Sequence, residues 1–376
     1  MRRSVAATAL LTLVLLLGGY FLYSRLARPN APKVYERTRD GITLLGVAYL
    51  PKDPDGGLGS ALAYTGHGNE YVVAADSGPK GDRFECRAHR MTIGVTPGDA
   101  QPVKLNLTDT TFLKDKDGKQ FLGAQPDPEG IRIGRGGDIF ISDELGPFVR
   151  QFDKTSGKFV EDFAVPGHFR NRQENRGMEG LAISPDGAKL YGTMQSPLIQ
   201  DGGGVIKKGQ RTGTNCRILE IDIANGSTRE FVYQLADPDH SVCEILAVND
   251  TTFLVLERDA GGGEEAKFKK VFRIGLADAI PDPKAKLPTD RLPATIQPVK
   301  KTPFLDLLAE EFGIAGRSCP DKFEGLAFGP DLPDGRHLLL VTTDTDTEAR
   351  QPFRVYAFAI DKTKLPDFRP QQFAPN

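Results

Sequence analysis

Glu179-Gly-Leu-Ala-Ile183, the turn Ser184-Pro-Asp-Gly187 and Ala188-Lys-Leu-Tyr-Gly-Thr-Met-Gln195 form a single phrase. It has two short apolar runs joined by a tight turn, with a polar residue at each end. Such a phrase predicts a β-hairpin, and its first and last residues fall side by side because antiparallel strands begin and end together. Four further copies follow the same plan. They run from Ser60-Ala-Leu-Ala-Tyr64 to Asp76, from Glu129-Gly-Ile-Arg-Ile133 to Ser142-Asp-Glu144, from Glu244-Ile-Leu-Ala-Val248 to Glu257-Arg-Asp259, and from Glu324-Gly-Leu-Ala-Phe328 to Asp344. The turns between them include Gly134-Arg-Gly-Gly137, Asn249-Asp250 and Asp334-Gly335.

The copies are spaced by 69, 50, 65 and 80 residues. A strand-rich repeat of this length predicts an all-β chain folded as a β-propeller, in which each blade is a four-stranded sheet and spacing varies with loop length. The spacing predicts six blades within a range of five to seven, five of them visible and one diverged. Further strands are supplied by the runs starting at Cys86, Phe148, Cys216, Val271 and Phe353. Ile42–Leu50 has no hairpin of its own, so it is expected to close the ring beside Phe353–Ile360, where the first and last blades must pair without open edges. Pro281 to Pro303 reads as an insertion, and Phe304–Phe312 has the spacing of one short helix. Gly202–Gly204 and Gly261–Gly263 each follow a polar hairpin end and read as loops near the channel mouth.

The chain has 376 residues with 41 Gly and 27 Pro, a heavily punctuated composition that favours strands over helices. Its net charge is −2, with no basic run interleaved with aromatics, which argues against nucleic acid as a partner. Absence of Trp argues against WD-type repeats. Arg2-Arg3 precede an uncharged stretch from Ser4 to Ser24, and Arg25, Arg28 and Lys33 follow it. Residues 1–28 are therefore expected to be a hydrophobic helix that serves as a signal anchor, giving membrane attachment, or as a cleaved signal peptide. Either way, the globular part is exported. Residues 29–40 read as a linker and 41–376 as one domain. Export would place Cys86, Cys216, Cys243 and Cys319 where disulfides persist. A Cys216–Cys243 bridge is the pairing preferred here, with buried thiols the alternative, and no Cys-x-x-Cys is present.

If the hairpins are the inner strands, their polar ends ring the channel on one face. The acids so gathered are Asp76, Glu129, Asp143, Glu144, Glu179, Glu244, Glu257, Asp259, Glu324 and Asp344. Converging carboxylates must be protonated or neutralised, and an oxygen-rich cluster suits calcium. Arg83, Arg176 and Arg258 lie beside the repeats and could pair with some acids or grip an anion. The five histidines lack His-x-x-x-His spacing and no Gly-x-Ser-x-Gly elbow is present, so metal-assisted attack by water is the hydrolytic route left.

Asp76-Ser-Gly-Pro79 with Arg83-Phe84, Asp127-Pro-Glu-Gly-Ile131, Ser142-Asp-Glu-x-x-Pro147, Asn175-Arg-Gly-Met-Glu-Gly-Leu181, Ser196-Pro-Leu198, Leu256-Glu-Arg-Asp259 and Phe323-Glu-Gly-Leu-Ala327 together resemble the phytase-like family described as having esterase-like activity. The resemblance covers about residues 43 to 345. It implies a propeller and hydrolysis of a phosphoester or ester. The chain departs from the family's pattern at Gln195, where relatives carry an acid, at Ser77 in place of an arginine, and at Thr343-Asp344-Thr345. On this reading Glu129, Asp143, Glu144, Glu179, Glu257 and Glu324 hold a divalent metal, calcium by preference. Glu179, Glu129 and Arg176 carry the chemistry, and Asp76, Arg83, Arg258, Asp259 and Asp344 contact a small phosphoester or ester. The alternative is a calcium-stabilised binding module without turnover.

Overall fold

Apolar runs of five to ten residues punctuated by Gly and Asp turns pair into sheets in sequence order, and the computed structural model shows how those sheets meet. It describes residues 36–50, 57–75, 85–121, 126–146, 148–205, 210–276, 278–345 and 351–375. The expected hydrophobic helix within residues 1–28, Asp76, Ser77 and Arg83 lie outside the described residues. No helix among the described residues is long and apolar enough to cross a membrane.

After β1 (Arg37–Arg39) and β2 (Ile42–Leu50), blade 1 is β3 (Leu58–Tyr64), β4 (Glu70–Ala75), β5 (Arg87–Val95) and β6 (Val103–Phe112). Blade 2 is β7 (Pro128–Ile133), β8 (Ile139–Asp143), β9 (Phe148–Phe152) and β10 (Phe159–Phe163). Blade 3 starts with β11 (Met178–Ile183) and β12 (Lys189–Met194), carries a small side hairpin of β13 (Gly204–Val205) and β14 (Arg211–Thr212), and ends with β15 (Asn215–Asp222) and β16 (Thr228–Gln234). Blade 4 is β17 (Ser241–Ala247), β18 (Thr252–Arg258), β19 (Lys269–Gly275) and β20 (Lys300–Asp306). Blade 5 is β21 (Phe323–Phe328), β22 (His337–Thr343) and β23 (Phe353–Ile360), completed by β2 and β1.

The ring therefore has five blades, where six were expected. The surplus length in the wider intervals goes into the β13–β14 hairpin, the segment between β19 and β20, and other loops, and the described residues contain no diverged blade. The seam is the one the sequence required: β2 pairs antiparallel with β23, Ile42 opposite Ile360 and Leu50 opposite Phe353. The helix expected at Phe304–Phe312 does not form. Phe304, Leu305 and Asp306 end strand β20, where Leu305 pairs with Val271, and only Glu310–Phe312 turns, as a single 3-10 helix. Pairing with β19 outweighs a helical pattern too short to nucleate by itself. All four cysteines are buried free thiols, so the Cys216–Cys243 bridge is absent.

The apolar core is divided among the blade boundaries. Ile131, Ile141, Ala61 and Val72 meet between blades 1 and 2, and Leu181, Leu190, Phe140 and Val149 between blades 2 and 3. Ile218 and Phe231 meet Ile245 and Val255 between blades 3 and 4. Because each inner strand is covered on both faces, β7 and β11 are buried along their whole length. Inner strands approach backbone to backbone, which explains the glycine of the Glu-Gly pair. A Cβ on Gly180 would stand 2.7 Å from the Ile245 nitrogen and 2.8 Å from the Glu244 Cα of the next blade.

At the end of the channel opposite the polar hairpin ends, residues 366–375 cross the ring as a strap. Phe368 packs on Phe328 of blade 5, and the Arg369 amide donates to the Val248 carbonyl at 2.8 Å. The Gln372 amide reaches Pro185 O at 2.7 Å, the Ala374 amide reaches Arg135 O at 2.8 Å, and Phe373 meets Tyr64 of blade 1 edge to face. The strap encloses a cavity of about 520 Å³ lined by Leu62, Leu246, Phe328 and Phe373. The proline-rich segment covers blade 3 in the same way. Ile280 and Val299 donate to the carbonyls of Glu230 and Val232 on the edge strand β16, and buried Arg217 ties the segment to Asp201 and Glu230.

Inside the channel, Arg132 and Glu244 form a buried ion pair at 3.0 Å. Arg132 also donates to the carbonyls of Leu62 and Ile245, and Glu244 accepts from the amides of Leu181 and Ile245. Removing one partner strands the other's charge. Arg132→Met or Glu244→Leu alone is expected to cost about 3–5 kcal/mol, with most of it recovered in the double variant. Urea denaturation of the three proteins checks this; single variants within about 1 kcal/mol of wild type would contradict it.

Candidate metal centre

In every blade the register between the inner strand and its partner slips at the same end. The slips lie between Pro128 and Gly130, Met178 and Leu181, Val242 and Glu244, Phe323 and Gly325, and, in blade 1, Leu58 and Leu62. A bulge of this kind inserts an unpaired residue and re-aims its side chain. The inserted residues are Glu129, Glu179, Cys243 and Glu324, and Ser60 lies within the corresponding slip of blade 1. The next strand ends in Arg258 in blade 4, and in blades 2, 3 and 5 it is followed at once by Glu144, Gln195 and Asp344.

Two sets of ligand atoms gather here. Oxygens of Asp127, Glu129 and Glu144 lie within 4.8 Å of one another, as do atoms of Glu179, Cys243 and Glu324. The sets sense each other. Burial first, then Asp127 and Glu324, push Glu144 up to about 7, with Lys322 and Arg172 pulling the other way. Burial, then Glu144 and Glu324, hold Glu179 well above the usual carboxylate range. Glu179 Oε1 accepts from the Gln195 side-chain amide at 2.6 Å, and Oε2 is buried without a hydrogen-bond partner among the described residues. One all-oxygen triad, a second that joins two carboxylates to a thiol, and a buried unused oxygen fit divalent cations, so these groups could hold a metal.

Asp143 supports the cup rather than lining either triad. Its oxygens accept the Asp127 amide at 2.5 Å and the Gly146 amide, and burial raises its carboxyl to about 6. Asn175, in the left-handed region at φ 49°, leads into Arg176 and Gly177. A Cβ on Gly177 would fall 1.7 Å from the Glu144 carbonyl oxygen, so only glycine lets this loop close on the cup. Arg176 donates to Ser196 and Ser241 at 2.7 and 3.0 Å, and burial, then Arg211, lowers it to about 10. Arg258 donates to Glu324 at 2.5 Å, and Lys322 pairs with Asp344 at 2.9 Å.

Besides Asp143 and Asp344, the structure leaves Glu257, Asp259 and Glu244 outside the triads. Glu257 is saturated by Tyr233, His240, Lys301 and the Ala236 amide; burial would raise it, but these donors win and lower it. Asp259 binds Lys269 at 2.7 Å and the Lys267 and Phe268 amides. Glu244 belongs to the Arg132 pair. Its displacement is a one-residue phase error: the register makes Cys243 the counterpart of Glu179 and Glu324, and Glu244 that of glycine. Asp127 and Cys243 were missed as cup residues. Asp127 stands two residues before Glu129 in a motif already singled out, and Cys243 would have emerged from aligning the strands by glycine position.

The family model described as "Phytase-like: Esterase-like activity of phytase" matches residues 54–347. The chain belongs to the phytase-like family. A protein of Arthroderma benhamiae described as an uncharacterized secreted protein is 32% identical over 194 residues, covering 39% of this chain and 37% of that one. The alignment thus spans little more than a third of that relative. Among solved structures, a luciferin-regenerating enzyme aligns over 88% of this chain and 99% of its own, with 11% identity and a TM-score of 0.42. A putative gluconolactonase aligns over 89% and 97%, with 12% identity and a TM-score of 0.40.

Raised carboxyls tie stability to pH. Asp143 and Glu144 hold protons up to about 6 and 7 in the folded chain, whereas unfolded carboxyls release theirs near about 4. Between these limits the folded state binds more protons, so stability falls as pH rises. For metal-free protein, urea denaturation should show a loss of about 2 kcal/mol or more from pH 5 to pH 7.5. Saturating calcium should flatten the slope, because a cation holds the cup carboxylates ionised. A metal-free stability that rises over this window would contradict the assignment.

Proposed function

We propose that this phytase-like propeller is an exported, metal-dependent hydrolase of small phosphoesters or esters. The observation that carries the proposal is the Asp127–Glu129–Glu144 triad set beside buried Glu179 and flanked by Arg176 and Arg258. The triad would hold a hard cation, calcium by preference, which when bound polarises a phosphoryl or acyl oxygen and acidifies water. Export is supported by the uncharged stretch from Ser4 to Ser24 and by the description of the Arthroderma relative as secreted.

The chain's own residues supply the remaining functions. Arg176 keeps its charge and, with Arg211 close enough to depress it, offers a pair of guanidiniums to an anionic substrate. Glu179, protonated through burial and its acidic neighbours, can donate a proton to a leaving oxygen and recover it from water. Gln195 fixes the Glu179 carboxyl without adding a charge.

A second reading, a calcium-stabilised binding module, is favoured by the extent of internal pairing. Arg258 already neutralises Glu324, and Lys322 neutralises Asp344. Assays with p-nitrophenyl phosphate, bis-p-nitrophenyl phosphate, p-nitrophenyl acetate and phytate, with and without calcium, separate the two. Hydrolysis predicts metal-dependent turnover that falls about 100-fold or more in Glu144→Gln and Glu179→Gln. A higher melting temperature with calcium but no turnover on any substrate would overturn the hydrolase and leave the module.

A further inference from the structure

Blade 4 breaks the acidic ring. Where blades 2, 3 and 5 insert Glu129, Glu179 and Glu324 at the bulge, blade 4 inserts Cys243, fully buried. Its Sγ, an oxygen of Glu179 and an oxygen of Glu324 lie within 4.8 Å of one another. The thiol's hydrogen bond to the Ser241 carbonyl is long at 3.9 Å. Among the described residues Glu179 Oε2 is buried with no hydrogen-bond partner, a costly state for a polar oxygen unless a ligand meets it.

We propose that Glu179, Cys243 and Glu324 form a second metal site, selective for a thiophilic divalent cation such as zinc and distinct from the hard-cation triad of Asp127, Glu129 and Glu144. The inference rests on the metal reading of the cup, not on hydrolysis: with this site loaded Glu179 is an ionised ligand, so occupancy would withdraw it from proton donation. Calcium takes oxygen ligands, whereas a thiolate beside two carboxylates suits zinc in a three-ligand site that keeps a fourth position open. Donors about 2.0–2.3 Å from a tetrahedral ion stand about 3.3–3.8 Å apart, so the three atoms need move only about an ångström to close on one.

Charge balance agrees. With all three ligands ionised the set carries three negative charges, Arg258 on Glu324 offsets one, and a divalent cation neutralises the rest. Glu324 binds Arg258 through Oε1, which leaves its second oxygen for the metal. A thiol must give up its proton to become a ligand, so metal uptake tightens as pH rises.

Cobalt provides a direct readout, because a thiolate bound to Co²⁺ gives a near-ultraviolet charge-transfer band that oxygen ligands do not. Metal-free protein titrated with CoCl2 in the presence of calcium should develop this band, and stoichiometric zinc should abolish it. Cys243→Ser should lack the band and weaken zinc binding by about 100-fold or more, since even losing an outer-shell partner costs about 10–100-fold. Should Cys243→Ser fail to fold, cobalt K-edge absorption on wild type decides the matter: one sulfur neighbour supports the site, and an oxygen-only shell overturns it. A wild-type titration without the band, or a band retained in a folded Cys243→Ser protein, also overturns it. Loss of hydrolysis alone bears on the hydrolase and not on this site. Calcium-dependent turnover without cobalt–sulfur coordination would sustain the hydrolase and sink the thiolate site.

Discussion

The architecture depends on five inner strands meeting backbone to backbone around one axis. That approach is possible because the residue after the inserted glutamate is glycine in blades 2, 3 and 5, and a side chain there would strike the neighbouring strand. The same bulge that brings the glycine into contact turns the preceding side chain toward the channel end. Packing and site formation are thus one local event, repeated around the ring. Blade 4 shows the dependence by exception: Glu244 occupies the glycine position, and its carboxylate is accommodated through Arg132 and two backbone amides.

Gathering carboxylates in a buried space opposes folding, since each must be desolvated near its neighbours. The protein meets this cost in three ways. Some acids are matched with bases, as Glu324 with Arg258 and Glu257 with Lys301. Others serve backbone amides, as Asp143 does. Glu144 and Glu179 are left to hold protons, and that residual tension makes the cup responsive to a cation.

Much of this was legible in the residues. The hairpin phrase predicted the propeller, its polar ends predicted a shared rim, and the unpaired run Ile42–Leu50 predicted the seam with β23. Blade number was not legible, because interval length cannot distinguish a diverged blade from an insertion such as 276–299. Nor was the role of each acid. Glu257 and Glu179 look alike in the repeat, yet one is surrounded by four donors and the other by fellow acids, a difference made by residues far away in sequence such as Tyr233 and Lys301. Phase was the subtlest loss: apolar matching aligned Glu244 with Glu179, whereas hydrogen-bond register aligns Cys243 there, and a slip of one residue exchanges the two faces of a strand.

The strap and the seam impose an order on synthesis. Strand β2 emerges early, but its partner β23 lies some three hundred residues downstream, and the residues that bridge all the blades follow later still. Until then a nascent ring is an open crescent with bare hydrogen-bonding edges on both flanks, the form in which sheet proteins are most apt to stick to one another. Completion is therefore a late, long-range closure that depends on the last stretch of the domain, and a polypeptide halted short of it would present a finished core in each blade pair but no circle.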